Sequence, residues 1–84
     1  MEVGIFLGTQ HPADADMRQA FDNHLMQTRI ARDAGFDALW VAQHYLTYPD
    51  QFLQTTPLLT RLAAEAGEMK IGTNILILPL HNVV

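Results

Sequence analysis

The chain has no cysteine among its 84 residues, so neither a disulfide framework nor a thiolate metal site can form, and a reducing compartment, the cytoplasm, is expected. Basic residues are scarce as well. Five Lys and Arg against nine Asp and Glu give a formal net charge of −4, with no cationic cluster to neutralise a run of phosphates, so nucleic acid is not an expected partner. Long apolar runs are also missing. The start, Met1 Glu2 Val3 Gly4 Ile5 Phe6 Leu7, lacks the basic head and apolar length of a signal peptide. The longest apolar-rich stretch, Ile71 to Leu80, is broken by Gly72, Thr73, Asn74 and Pro79 and falls well short of the ~20 residues that cross a bilayer, so no membrane is expected as a partner. Gly4 and Gly8 do not have the spacing of a phosphate-binding glycine loop. The four histidines show no metal-ligand spacing and no carboxylate joins them, so no metal site is expected.

What is present is apolar: 49% of the residues, with 17% charged. That is a globular composition, rich for a free-standing unit of this size, which buries only roughly 60–65% of its unfolded surface. Residues 1–84 are therefore expected to be a single incomplete domain whose core is shared with further chain.

Val3 to Leu7 reads as a strand, apolar at almost every position, as in a parallel sheet covered on both faces. Gly8 to Pro12 is a loop, and Asp14 or Asp16 can cap the next helix. That helix is expected from about Asp16 to Ala34, with Phe21, Leu25 and Thr28 on one stripe and Met26 and Ile30 on a second, hence broadly buried. Gly35 ends it in the left-handed conformation, with Phe36 packing back. A buried strand, Ala38 to Ala42, follows, then a loop from Gln43 to about Thr55. Thr56 as cap and Pro57 at the first helical position open a second helix, whose buried face is Leu58, Leu59, Leu62, Ala63 and Ala66 and whose stop is Gly67. Lys70 to Leu78 is a third strand.

The order strand, helix, strand, helix, strand, with helical crossovers, implies parallel pairing, and right-handed crossovers put both helices on one face. The other face is left bare, with apolar residues and open strand edges. The expected fold is α/β, the first three βα units of a (β/α)8 TIM barrel with parallel strands and outer helices; a doubly wound sheet is the alternative.

In either architecture ligands bind at the carboxyl ends of the strands, which draws attention to Leu7 to His11, Gln43 to Tyr45 and Asn74 to His81. His44 directly follows an apolar strand, and its imidazole can donate or accept a proton near neutrality; the plain alternative is a solvated loop histidine. Tyr45 and Tyr48 line a pocket wall or are packed rings with wet hydroxyls. His11 lies in a loop on the same side, and His24 within the helix is structural or exposed. The Thr73 Asn74 pair either satisfies its neighbours or faces a ligand.

Three runs, in this order and at this spacing, resemble the luciferase-like flavin-dependent monooxygenases: Val3 Gly4 Ile5 Phe6; Ala34 Gly35 Phe36 Asp37 Ala38 Leu39 Trp40 Val41 Ala42 Gln43 His44; and Ile71 Gly72 Thr73 Asn74 Ile75 Leu76 Ile77 Leu78 Pro79 Leu80 His81 Asn82. The resemblance covers nearly the whole chain. It implies a (β/α)8 barrel, dimeric through its helices, that binds FMN or a deazaflavin coenzyme at the strand ends and oxygenates a small organic substrate with reduced flavin and O2. The cofactor carries the hard chemistry. His44 matches the family's active-site histidine, and Leu7, Gln43, His44, Asn74 and Ile75 fall where the flavin sits. At Asn74 and Ile75 family members often hold a non-proline cis peptide. The family often reads Glu, His, His where this chain has Gln43 His44 Tyr45, which points away from light emission and towards a general monooxygenase or a deazaflavin-dependent reductase. A non-catalytic flavin-binding or truncated barrel fragment is a further alternative. The family's phosphate-binding residues lie beyond position 84.

Overall fold

The middle of the fold is a strand of four residues with a ladder on each side. In the computed structural model, which describes residues 1–82, the elements run β1 (Gly4–Leu7), β2 (Gln10–His11), α1 (Met17–Asp33), β3 (Ala38–Val41), β4 (Gln51–Phe52), α2 (Thr55–Ala63) and β5 (Lys70–Thr73), then a 3-10 turn at Leu78–Leu80. β1, β3 and β5 form a parallel sheet with β3 central. Ile5, Leu39 and Ile71 stand in one row and Leu7, Val41 and Thr73 in another on the same face, while Phe6, Trp40 and Gly72 share a row on the opposite face. The α/β class with parallel strands and helical crossovers is therefore as expected.

Capping sets the ends of α1. Asp16 accepts from the N–H groups of Arg18 (3.0 Å) and Gln19 (3.2 Å). At the other end Gly35 (φ 88°) lets its own N–H reach Arg32 O while the Phe36 N–H reaches Ala31 O, the paired bonds of a Schellman stop. The chain is then placed to enter β3, and Asp37 N–H pairs with Val3 O at 2.8 Å.

The core joins Leu7, Leu39 and Val41 of the sheet to Leu25 and Ala31 of α1, Leu58 and Leu62 of α2, and Ala66 and Met69 beyond it. Four expectations need correction. α1 is not broadly buried: Ala20, His24, Leu25, Thr28 and Ala31 face inwards, but Met26 (57% exposed) and Ile30 (61%) do not, because no second layer covers that side. α2 begins at Thr55, so Pro57 is its third residue; its cap, Gln54, makes no side-chain bond. Thr56 is not the cap, and the neighbouring Thr55 hydroxyl donates to Ala42 O at 2.8 Å, fastening α2 to the end of β3. Ala63 is exposed, and α2 ends there, so Gly67 (φ 61°) serves the turn towards Met69 rather than stopping the helix. β5 stops at Thr73 rather than Leu78: Asn74 and Ile75 each keep one backbone bond to the end of β3, and the chain then leaves the ladder, the Ile77 N–H going to the Gln43 side chain before the 3-10 segment.

One element has no counterpart in the sequence reading: β2 pairs antiparallel with β4, Gln10 opposite Phe52 and His11 opposite Gln51. It draws the loop after β1 against the loop after β3. Gln10 Nε2 donates to Asp50 at 2.7 Å, and Gln51 Nε2 lies 3.0 Å from the carbonyls of Pro12, Ala13 and Ala15.

The face opposite the helices is uncovered, with Phe6 53% and Trp40 40% exposed, and β1 and β5 each pair only with β3 among the described residues. Trp40 lies across that face. A Cβ on Gly72 would stand 2.5 Å from its Cζ3, and one on Gly4 would stand 3.0 Å from its Nε1, so glycine on both flanking strands makes room for the indole.

Charge gathers on the helices. Glu65 takes two bonds from Arg29 (3.0 Å each) and one from Arg61 (2.9 Å), while Arg32 donates to its backbone carbonyl. The guanidinium bonds, Arg29 first and Arg61 second, hold the Glu65 carboxyl down from its ordinary 4.5 to about 2.

Gly72→Ala is expected to expel the indole from its seat, reddening the emission of the chain's single tryptophan and lowering stability by about 1–3 kcal/mol, whereas Gly8→Ala, with no atom within 4 Å of the new Cβ, stays within about 0.5 kcal/mol. Chemical denaturation followed by fluorescence reads both. Because the Glu65 pKa is depressed by folding, its contribution is complete above about 4.5 and fades as pH falls towards about 2. Glu65→Gln should be less stable at neutral pH and should flatten that part of the pH–stability curve, measured by urea midpoints between pH 7 and pH 2.

Candidate active site at the carboxyl ends of the strands

β3 delivers three residues in succession past its last core position, Val41. Ala42 and Gln43 are buried, and His44 is the first to emerge. Its ring meets Phe52 of β4 edge-on, with centroids 5.1 Å apart and planes at 69°, so the small sheet supplies the wall beside it. An exposed imidazole with one face packed can accept or donate a proton at its nitrogens while keeping its direction.

Gln43 ties this end of the sheet together. Its N–H donates to Ile75 O (3.1 Å), continuing the ladder that Asn74 N–H makes to Val41 O (2.7 Å). Its side-chain Oε1 accepts from Ile77 N–H (2.6 Å), and His81 Nε2 lies 3.0 Å from its Nε2 and 3.1 Å from its Oε1. The buried amide thus holds residues 74–81 beside His44's strand. The peptide between Asn74 and Ile75 is cis, as the resemblance implied, and Asn74 and Ile75 are both exposed.

Gln43, His44, Asn74 and Ile75 accordingly lie together. Leu7 does not join them with its side chain, which sits in the core between sheet and helices, so only its place at the end of β1 is near the site. Tyr45 and Tyr48 are not packed rings: both are largely in solvent, Tyr48 95% exposed.

Two residues were missed. His81 was named only as a strand end, and nothing in its local sequence announces that it meets Gln43, 38 positions earlier. Thr9, just past β1, is buried with no partner for its Oγ1, while its carbonyl accepts from Leu53 N–H. Of the two readings given for His24, the structural one holds: it is buried on α1 with its Nε2 3.2 Å from that of His11. Burial pushes its pKa below the usual 6.5, the Gln27 bond opposing and His11 adding to the fall.

The donor set decides what the site can hold. It offers exposed apolar surface at Ile75 and Leu76, an imidazole and neutral amides. The cations are paired away from it: Arg29, Arg32 and Arg61 surround Glu65, Lys70, at the opposite end of β5, pairs with Glu2, and Arg18 in the first turn of α1 pairs with Asp22. Such a surface suits the flat, largely uncharged ring system of a flavin and lacks what a phosphate needs. Among the described residues no group of three or more His, Asp or Glu gathers as for a metal, and no helix is long and apolar enough to cross a membrane.

Fold and site together define an α/β protein with a polar cluster at the carboxyl ends of parallel strands. A sequence model of the family described as luciferase-like monooxygenase matches residues 1–84, and the chain belongs to that family. Its members are generally monooxygenases and typically bind flavin or deazaflavin. No curated protein and no solved structure matches the chain.

Gln43→Leu leaves the Ile77 N–H and His81 without their partner. The expected result is a loss of about 1–2 kcal/mol and faster amide exchange at Ile77, whereas Gln43→Glu retains the acceptor and the protection, as hydrogen exchange would show.

Proposed function

We propose that residues 1–84 are the first three βα units of a (β/α)8 barrel in a flavin-dependent monooxygenase, and that the strand ends described above form one side of its flavin pocket. The observation that carries this reading is the convergence at the end of β3. An exposed imidazole follows directly on a buried strand, and the Asn74–Ile75 segment is held beside that strand by Gln43.

Bound in its reduced form, the flavin supplies the electrons with which O2 is activated to oxygenate a small organic substrate. The chain's own residues bind and orient. Ile75 and Leu76 would offer apolar surface to the ring and Asn74 a polar amide, and the Gln43 side chain keeps the segment carrying them in register with β3. Gln43 cannot ionise and its polar atoms are already engaged, so proton transfer falls to His44, whose ring is steadied by Phe52. The uncovered face with Phe6 and Trp40 is the lumen side, which further barrel strands pairing with the edges of β1 and β5 would enclose. A deazaflavin coenzyme fits the same neutral donor set.

The test uses the full-length protein. Titration with FMN and with a deazaflavin, followed by fluorescence quenching, is expected to give saturable binding of one of them, with substrate-dependent oxygen uptake once it is reduced. His44→Ala should lower turnover by about 10²–10⁴-fold while changing flavin affinity by less than about tenfold. Unchanged turnover in that variant removes His44 from the role given to it. Binding without any turnover would favour a non-catalytic flavoprotein.

A further inference from the structure

Outside the strand-end site, one pair of titratable side chains is placed so that its protonation has a mechanical consequence. His24 projects from the inner face of α1 and is 3% exposed. Its Nδ1 lies 2.9 Å from Gln27 Oε1, which accepts the proton there, leaving the Nε2 lone pair to face His11. His11, on β2, approaches with its own Nε2 at 3.2 Å, the rings 5.3 Å apart and tilted by 55°. One proton fits between those two nitrogens. A second would set two N–H groups and two positive charges against each other.

Among the described residues no carboxylate is bonded to either ring. On α1, Asp16 caps the helix and Asp22 pairs with Arg18; next to β4, Asp50 accepts from Gln10; Gln27 and Gln51 are neutral. Among the described residues, His11 is the titratable group whose charge bears on His24, and it opposes a proton there. The contact also joins β2 to α1 through side chains. β2 pairs with β4, Thr9 O accepts from Leu53 N–H, and Phe52 of β4 is the wall on which His44 rests.

We propose that His11 and His24 form an acid-opened latch, which when neutral or singly protonated holds the β2–β4 sheet against α1, and when doubly protonated releases that sheet and the wall beside His44. The closed latch takes up one proton fewer than the open one. Opening is therefore favoured progressively as pH falls below the ordinary histidine value of 6.5, by up to about tenfold per pH unit. His44 keeps its place on the end of β3, but its packed face becomes solvent. The site is then regulated by pH through a segment that need not touch the cofactor.

Amide exchange in the full-length protein without cofactor tests this, so its outcome is independent of the flavin reading. From about pH 7.5 to about pH 5, after correction for intrinsic exchange, the opening constant at Leu53 N–H is expected to rise by about tenfold per unit below 6.5, while Asn74 N–H in the main ladder stays flat. His24→Gln places an oxygen that can accept from His11 and cannot titrate, and it should abolish the rise at Leu53. Imidazole ¹⁵N shifts of the native protein provide a readout that does not depend on a folded variant: His24 Nε2 should stay unprotonated until Leu53 protection is lost. A pH-independent Leu53, the same rise in His24→Gln, or His24 titrating with protection intact would each overturn the latch.

Discussion

The central strand β3 is the constraint on which the rest of the chain depends. Four residues face in three directions at once. Their backbone groups serve ladders to β1 and β5, Leu39 and Val41 are sealed beneath the helices, and Trp40 lies across the opposite face in space left by Gly4 and Gly72. A one-residue slip would put the indole into the core and the leucine into solvent, so register is tightly specified. Everything at the site inherits that register. Gln43 stays buried and His44 emerges because β3 ends at Val41 in that register.

The distribution of charge reinforces this polarity. The guanidinium groups of Arg29, Arg32 and Arg61 are collected by Glu65 on the helical layer, and Lys70 pairs with Glu2 at the amino-terminal end of the sheet. The residues gathered at the end of β3, Gln43, His44, Asn74 and Ile75, are imidazole, amide and apolar groups with no carboxylate or guanidinium among them. Such a patch accommodates an aromatic ring without stranding an ion.

Much of this was legible in the sequence, and the reasons are local. Gly35 with Phe36 behind it marks a helix stop, the apolar runs mark strands, and Asp16 caps within its own turn; each signal acts over a few residues. What was not legible depends on residues far apart. The β2–β4 sheet has two residues per strand, too few for any periodicity, and rests on partners about forty positions apart, such as Gln10 and Asp50. The Gln43–His81 and His11–His24 contacts are of the same kind. Met26 and Ile30 misled because an apolar stripe records what a helix can bury, while the layer that would cover it is not among the described residues. The early end of β5 reflects a competition that local β propensity could not decide, between a continued ladder and the hold of the Gln43 side chain on Ile77.

The central claim is that the end of β3, with the segment it holds through Gln43, is a wall of a flavin pocket. A crystal structure of the full-length protein grown with the flavin that binds it tests this most directly. The ring system is expected against Ile75, with the His44 imidazole at its edge and Gln43 still bonded to Ile77 N–H. A ring bound away from β3, or His44 turned from it with the Gln43 contacts broken, would contradict it.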